Sequence, residues 1–183
     1  MLKKCFIVLV ACLSFMTFAV PGGNARDTWQ WQRVGEWTSP EGTYLMANLP
    51  EGKGYLIDPF NREYFEFPLI SGQQKNVYYI GRSYFAATPE RVWEVKERNI
   101  QGDRITFGET GEFLRLYYEG SRTPYGIHGH RYYEAMKEKD TVFQSMGCLI
   151  VADPILDVIE DSYKANGERL IVVTSSGKYP LPF

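Results

Sequence analysis

From residue 42 onward the chain is cut into short apolar or aromatic runs by turn formers, too closely spaced for long helices. Residues 42–49 and 54–57 are the first two runs, and Asp58-Pro59-Phe60-Asn61 turns the chain into residues 63–70. In that third run Phe65, Phe67 and Leu69 alternate with Tyr64, Glu66 and Pro68, so one face of a strand should be buried and the other less so. Ser71-Gly72-Gln73-Gln74 breaks the pattern and residues 76–80 resume it. Thr88-Pro89 turns into residues 92–100, where Glu94, Lys96 and Arg98 alternate with other residues. Gln101-Gly102-Asp103 reads as a hairpin turn into a strand at 104–107, a loop follows at 108–111, and 113–118 is a further strand.

One helix interrupts this order. Asp153 has the chemistry of an N-cap and Pro154 that of a first helical residue. Ile155, Leu156, Ile159 and Tyr163 fall on one face, and Gly167 ends the segment before a last strand at 169–174. The expected fold is therefore mainly β, with one helix behind residue 151.

The first 25 residues differ from the rest. Lys3 and Lys4 precede an uncharged apolar run from Cys5 to Val20, and small residues at 21–25 suit cleavage after Ala25. This is the pattern of a secretory signal peptide. Lipidation at Cys12 after Leu9-Val10-Ala11 ranks second, and an uncleaved anchor third, because the apolar run is short for a spanning helix. The expected organisation is a leader at 1–25, an extension at 26–41 and one domain at 42–183. Trp29, Trp31 and Trp37 in the extension are expected to pack on that domain.

Cleavage would take Lys3 and Lys4 from the 20 basic residues, leaving 18 against 22 acidic ones, a net charge of about −4. No basic patch points to nucleic acid as a partner. Export would also remove Cys5 and Cys12, leaving Cys148 as the single cysteine, which cannot pair within its own chain. Both histidines, His128 and His130, lie in the same window as Cys148.

A thiol and an imidazole are the groups needed for thiolate nucleophilic catalysis. Gly147 lets the backbone take conformations closed to other residues, and the N–H groups of Met146, Gly147 and Cys148 are placed to face a developing oxyanion. On spacing alone, two other readings stand beside this one. Cys148 before Leu-Ile-Val is also a buried small hydrophobe with structural histidines, and His128, His130 and Cys148 also make a three-ligand zinc set.

Ile127-His128-Gly129, a gap of 16 residues between His128 and Ser145, and Ser145-Met146-Gly147-Cys148 together resemble the signature of the L,D-transpeptidase catalytic domain, the YkuD-like family. Thr88-Pro89 resembles that family's Thr-Pro-x-Gly-x-Phe turn, with Arg91 where glycine is usual. The resemblance implies a β-sandwich-like catalytic domain, without metal or cofactor, exported to the bacterial periplasm or cell envelope. Its substrates would be peptidoglycan stem tetrapeptides, with a wall-attached protein as a further partner and the membrane met only through the leader. Cys148 would be the nucleophile, His128 the general base and the Gly129 carbonyl the group that orients the imidazole. Ser145 and Tyr125 would shape the site, and residues 132–144 would form a partly helical flap.

A hydrolytic relative (an L,D-carboxypeptidase or an amidase) and a non-catalytic wall-binding module are the alternatives. Ile150 stands where many members carry arginine or asparagine, so either another cation such as Arg131 or Arg122 substitutes, or the substrate differs, or activity is weak. His130 has no role in the resemblance and is expected to be local and exposed.

Overall fold

The computed structural model describes residues 29–79 and 81–183; the expected leader lies outside them. The elements in order are β1 (Gln30–Gln32), β2 (Tyr44–Asn48), β3 (Lys53–Asp58), β4 (Glu63–Pro68), β5 (Ser71–Gly72), β6 (Asn76–Tyr79) and β7 (Arg82–Phe85). Then come β8 (Arg91–Ile100), β9 (Glu112–Tyr118), β10 (Ser121–His128), α1 (Tyr133–Lys137), β11 (Phe143–Ser145), β12 (Leu149–Ile150), α2 (Asp153–Ala165) and β13 (Leu170–Ser175). The mainly β expectation holds.

Nine of these strands form one mixed sheet in the order β1-β4-β3-β2-β13-β8-β9-β10-β12. The last strand sits at its centre, parallel to β2 through Val172↔Leu45 and antiparallel to β8 through Val172↔Trp93. Leu45, Leu56 and Phe65 from one half of the sheet share a core with Trp93, Leu114 and Ile127 from the other. The sheet therefore folds over on itself around α2, whose Leu156, Ile159 and Tyr163 enter the same core. Trp93 is fully buried and its indole N–H donates to Thr174 Oγ1 at 2.8 Å, so the polar edge of a large core residue is satisfied.

Alternation decides the faces as expected in β4, where Phe65 and Phe67 are buried while Tyr64 and Glu66 are only partly so. In β3 both faces are covered. Leu56 points into the main core, and Tyr55 and Ile57 join Met46 in a second cluster on the other side. Trp29, Tyr179 and Leu181 pack on that second cluster, and Phe183 stacks on Tyr64 at 4.0 Å between centroids. The tryptophans of the extension divide: Trp37 packs against the main core and Trp29 on the second cluster, while Trp31 is exposed.

Two local expectations change. The chain at 104–107 is a turn rather than a strand, because Asp103 Oδ1 accepts the N–H groups of Ile105 and Thr106 and curls the backbone. The N-cap of α2 is Ala152, with Asp153 and Pro154 inside the first turn. Asp153 Oδ2 accepts the Glu109 N–H instead, tying the helix start to the 108–111 loop. Gly167 ends the helix as expected, at φ +67 and with its N–H on the Lys164 carbonyl. Among the described residues no helix is long and apolar enough to cross a membrane.

Candidate active site

His128 is the last residue of β10, and β12 lies parallel beside it in the register His128↔Ile150. That pairing carries the residue before β12, Cys148, to the same end of the sheet. Both side chains line one cavity of about 920 Å³, together with Phe107, Phe113, Arg115, Tyr125 and Ser145. His130, Met136, Gln144 and Met146 also contribute to its wall.

The imidazole of His128 is held on all sides. Its Nδ1 lies 2.6 Å from the Gly129 carbonyl oxygen. A carbonyl only accepts, so Nδ1 carries the proton and Nε2 is left as the basic nitrogen. Phe113 stacks on the ring at 5.6 Å and Phe107 tilts against it at 5.0 Å. Burial between these rings pulls the pKa of His128 down to about 4, against the opposing pull of the Gly129 and Thr106 carbonyls. At neutral pH the ring is uncharged.

Cys148 is half-buried, and desolvation raises its thiol pKa to about 11, opposed by the Gly126 N–H and the charge of Arg115. The thiol and the imidazole that line this cavity are thus both neutral at rest.

The turn before Cys148 is clamped from three directions. Gly147 has φ +117, and a Cβ there would meet the Tyr125 ring at 2.6 Å, so both backbone angle and space demand glycine. Ser145 Oγ donates to the Cys148 carbonyl at 2.6 Å and accepts the Gly147 N–H at 3.1 Å. Buried Thr88 Oγ1 donates to the Gly147 carbonyl at 2.9 Å and accepts the Gly72 N–H at 2.9 Å. The Thr88-Pro89 turn thus reaches the cysteine loop through one hydroxyl. Tyr84 OH donates to the Met146 carbonyl at 3.1 Å.

Several sequence expectations are corrected by this geometry. The Gly147 N–H, expected among the oxyanion donors, is taken by Ser145 Oγ. His130 is a half-buried part of the cavity wall, and its Nδ1 accepts the Tyr132 N–H at 3.1 Å. Arg122 pairs with Glu97 at 3.1 Å, and neither it nor Arg131 lines the cavity. Ile150 is 3% exposed and packs with Ile70 and Tyr133, which are apolar surroundings poorly suited to a cation.

The cation that sequence reasoning missed is Arg115, in the middle of β9. Its register partner on β10 is Gly126, whose N–H faces the cysteine sulfur, which explains how its charge acts on Cys148. The only signal was a lone arginine between Leu114 and Leu116 in an otherwise apolar and aromatic run. The 132–144 segment does form a partly helical flap. α1 is pinned by Tyr133, whose hydroxyl donates to the Pro68 carbonyl at 2.9 Å, and Met136 and Gln144 face the cavity. Among the described residues the one carboxylate cluster close enough to hold a metal is Glu112, Asp157 and Glu160, away from Cys148 and already engaged by Arg98 and Lys164.

No family model matches the chain, and no curated protein matches it. Solved structures do. An L,D-transpeptidase from Xylanimonas cellulosilytica aligns with a TM-score of 0.51 at 17% identity, over 74% of this chain and 61% of that one. Bd1075 from Bdellovibrio bacteriovorus aligns with a TM-score of 0.51 at 14% identity, over 75% of this chain and 49% of that one. The helical cell shape determining protein Pgp2 from Campylobacter jejuni aligns with a TM-score of 0.50 at 15% identity, over 75% and 48%. The chain spans about half to three-fifths of the length of these proteins. At such identities the likeness establishes a shared fold.

Proposed function

We propose that this protein is an exported cysteine acyltransferase of the L,D-transpeptidase kind, acting on the stem tetrapeptides of peptidoglycan in the periplasm or cell envelope. The observation that carries the reading is His128, fixed through Nδ1 on the Gly129 carbonyl and lining one cavity with Cys148. The fold shared with an L,D-transpeptidase domain and a cell shape determining protein supports it.

In the proposed reaction Cys148 Sγ attacks the carbonyl carbon of the third stem residue while His128 Nε2 takes the thiol proton. The imidazolium that forms is stabilised by the Gly129 and Thr106 carbonyls. The new oxyanion accepts the N–H groups of Met146 and Cys148, because that of Gly147 is already committed to Ser145. Collapse breaks the amide C–N bond, and the imidazolium returns its proton to the departing D-alanine amine. The remaining thioester is then attacked by an amine, giving a cross-link or an attached protein, or by water.

The test is mass spectrometry of the protein incubated with a stem tetrapeptide. A thioester adduct, or a product shortened by D-alanine, is expected with the wild type and not with Cys148→Ala. The absence of both from the wild type would leave the non-catalytic wall-binding reading in its place.

A further inference from the structure

The cavity around Cys148 has a charge pattern opposite to that of the chain. The protein carries 22 acidic and 20 basic residues, yet the cavity wall holds the cations Arg82 and Arg115 and no aspartate or glutamate. Arg98, Arg122 and Arg169 each hold a carboxylate elsewhere. Arg115 does not. Among the described residues no carboxylate forms an ion pair with it, and its Nη1 donates only to the Thr123 carbonyl, at 3.1 Å. Its guanidinium lies over the Phe113 ring at 4.4 Å, and its Nε is buried without a partner. Glu97, its register partner on β8, acts on it only from beyond ion-pair distance and is itself held by Arg122. A half-buried cation without a paired carboxylate is costly unless a ligand supplies the anion.

Position narrows what that anion is. Arg115 stands opposite Gly126, and the Gly126 N–H faces the sulfur that would attack. The group Arg115 meets is therefore close to the scissile carbonyl, within the reach of one further residue. We propose that Arg115 binds the terminal carboxylate of the donor peptide, so that the bond attacked is the one joining the last residue to the rest. This deepens the acyltransferase reading and rests on it for the identity of the scissile bond. The consequence is selectivity. A donor ending in a neutral amide, or extended by one more residue, loses the planar two-point pairing that arginine offers a carboxylate.

The experiment compares a stem tetrapeptide bearing a free C-terminal carboxylate with the same peptide as its C-terminal amide. Wild type, Arg115→Gln and Arg115→Lys are assayed for acylation, with thermal unfolding to confirm that each is folded. The wild type is expected to favour the acid by about ten- to a hundred-fold in kcat/KM. Arg115→Gln should bring the two peptides to within about threefold by slowing the acid alone, and Arg115→Lys should keep part of the preference. Equal slowing of both peptides by Arg115→Gln would overturn the proposal, because Arg115 would then serve the thiol and not the substrate. So would a wild type that acylates acid and amide alike, although the acyltransferase reading would stand.

Calorimetric binding of both peptides to Cys148→Ala, with and without Arg115→Gln, separates the two claims. Acid-selective binding that depends on Arg115, beside a wild type that forms no acyl-enzyme, would keep the carboxylate anchor and remove the acyltransfer. Failure of the acid to bind Cys148→Ala would overturn the anchor.

Discussion

Lowering the pH from 7 to 4.5 should destabilise this protein chiefly through His128, and replacing that residue should remove most of the effect. The folded ring takes its proton near pH 4, against an ordinary 6.5, because it is 4% exposed between Phe107 and Phe113. Between those values the unfolded chain binds the proton and the folded one does not, so stability rises with pH across the window and falls as the solution is acidified. The interval from 6.5 to about 4, at about 1.4 kcal/mol per pH unit, amounts to about 3 kcal/mol, of which about 2.5 kcal/mol is gone by pH 4.5.

His130, also lowered by burial but partly held up by Asp103, adds a smaller loss of the same sign. Urea unfolding at pH 7.0, 6.0, 5.0 and 4.5 measures the slope in the wild type and in His128→Gln, whose amide is able to donate to the Gly129 carbonyl. The wild type should lose about 2.5 kcal/mol more than the variant over this range. Parallel pH dependences would refute the reasoning, because they would mean that the ring is solvated enough to protonate without cost.

The remaining expectations concern the cysteine loop and its neighbours. With its thiol pKa near 11, Cys148 should react slowly with iodoacetamide at pH 7, and the rate should keep rising past pH 9; a plateau below pH 8 would contradict the desolvation argument. Thr88→Val removes the one hydroxyl that serves the Gly72 N–H and the Gly147 carbonyl, and should cost about 3 kcal/mol in chemical denaturation. Ile150→Arg, which installs the cation common at that position, should destabilise the fold by more than about 3 kcal/mol without raising acylation. A stable and more active variant would show that the Ile70–Tyr133 pocket opens readily.

Where local physics decides the outcome, it was legible in the residues. Alternation in β4 and the single apolar face of α2 depend on neighbours one to four positions away, and both are seen in the structure. The order His128, flap, Ser145, Gly147, Cys148 likewise led to one cavity, because strand pairing brings the end of β10 beside β12. What escaped depends on partners distant in the chain. Arg115 looks like any strand residue until β9 is known to lie beside β10, which places it opposite Gly126 and on the wall of the cavity. Asp153 has the chemistry of a cap, but its oxygen is drawn to Glu109, which is 44 positions away. The 104–107 segment failed for a local reason: Asp103 competes for the N–H groups that a strand would need.

The central place of β13 has a consequence for how the sheet closes. β13 joins β2 to β8, both of which lie far earlier in the chain. Without residues 170–175 the sheet would be two halves, one of β1 to β4 and the other bearing His128 and the cysteine loop. Pairing across such sequence distances is slow. A chain whose β13 has not docked would hold its thiol in an unclosed half-sheet, so that strand acts as the clasp between the half with the cavity and the rest of the molecule.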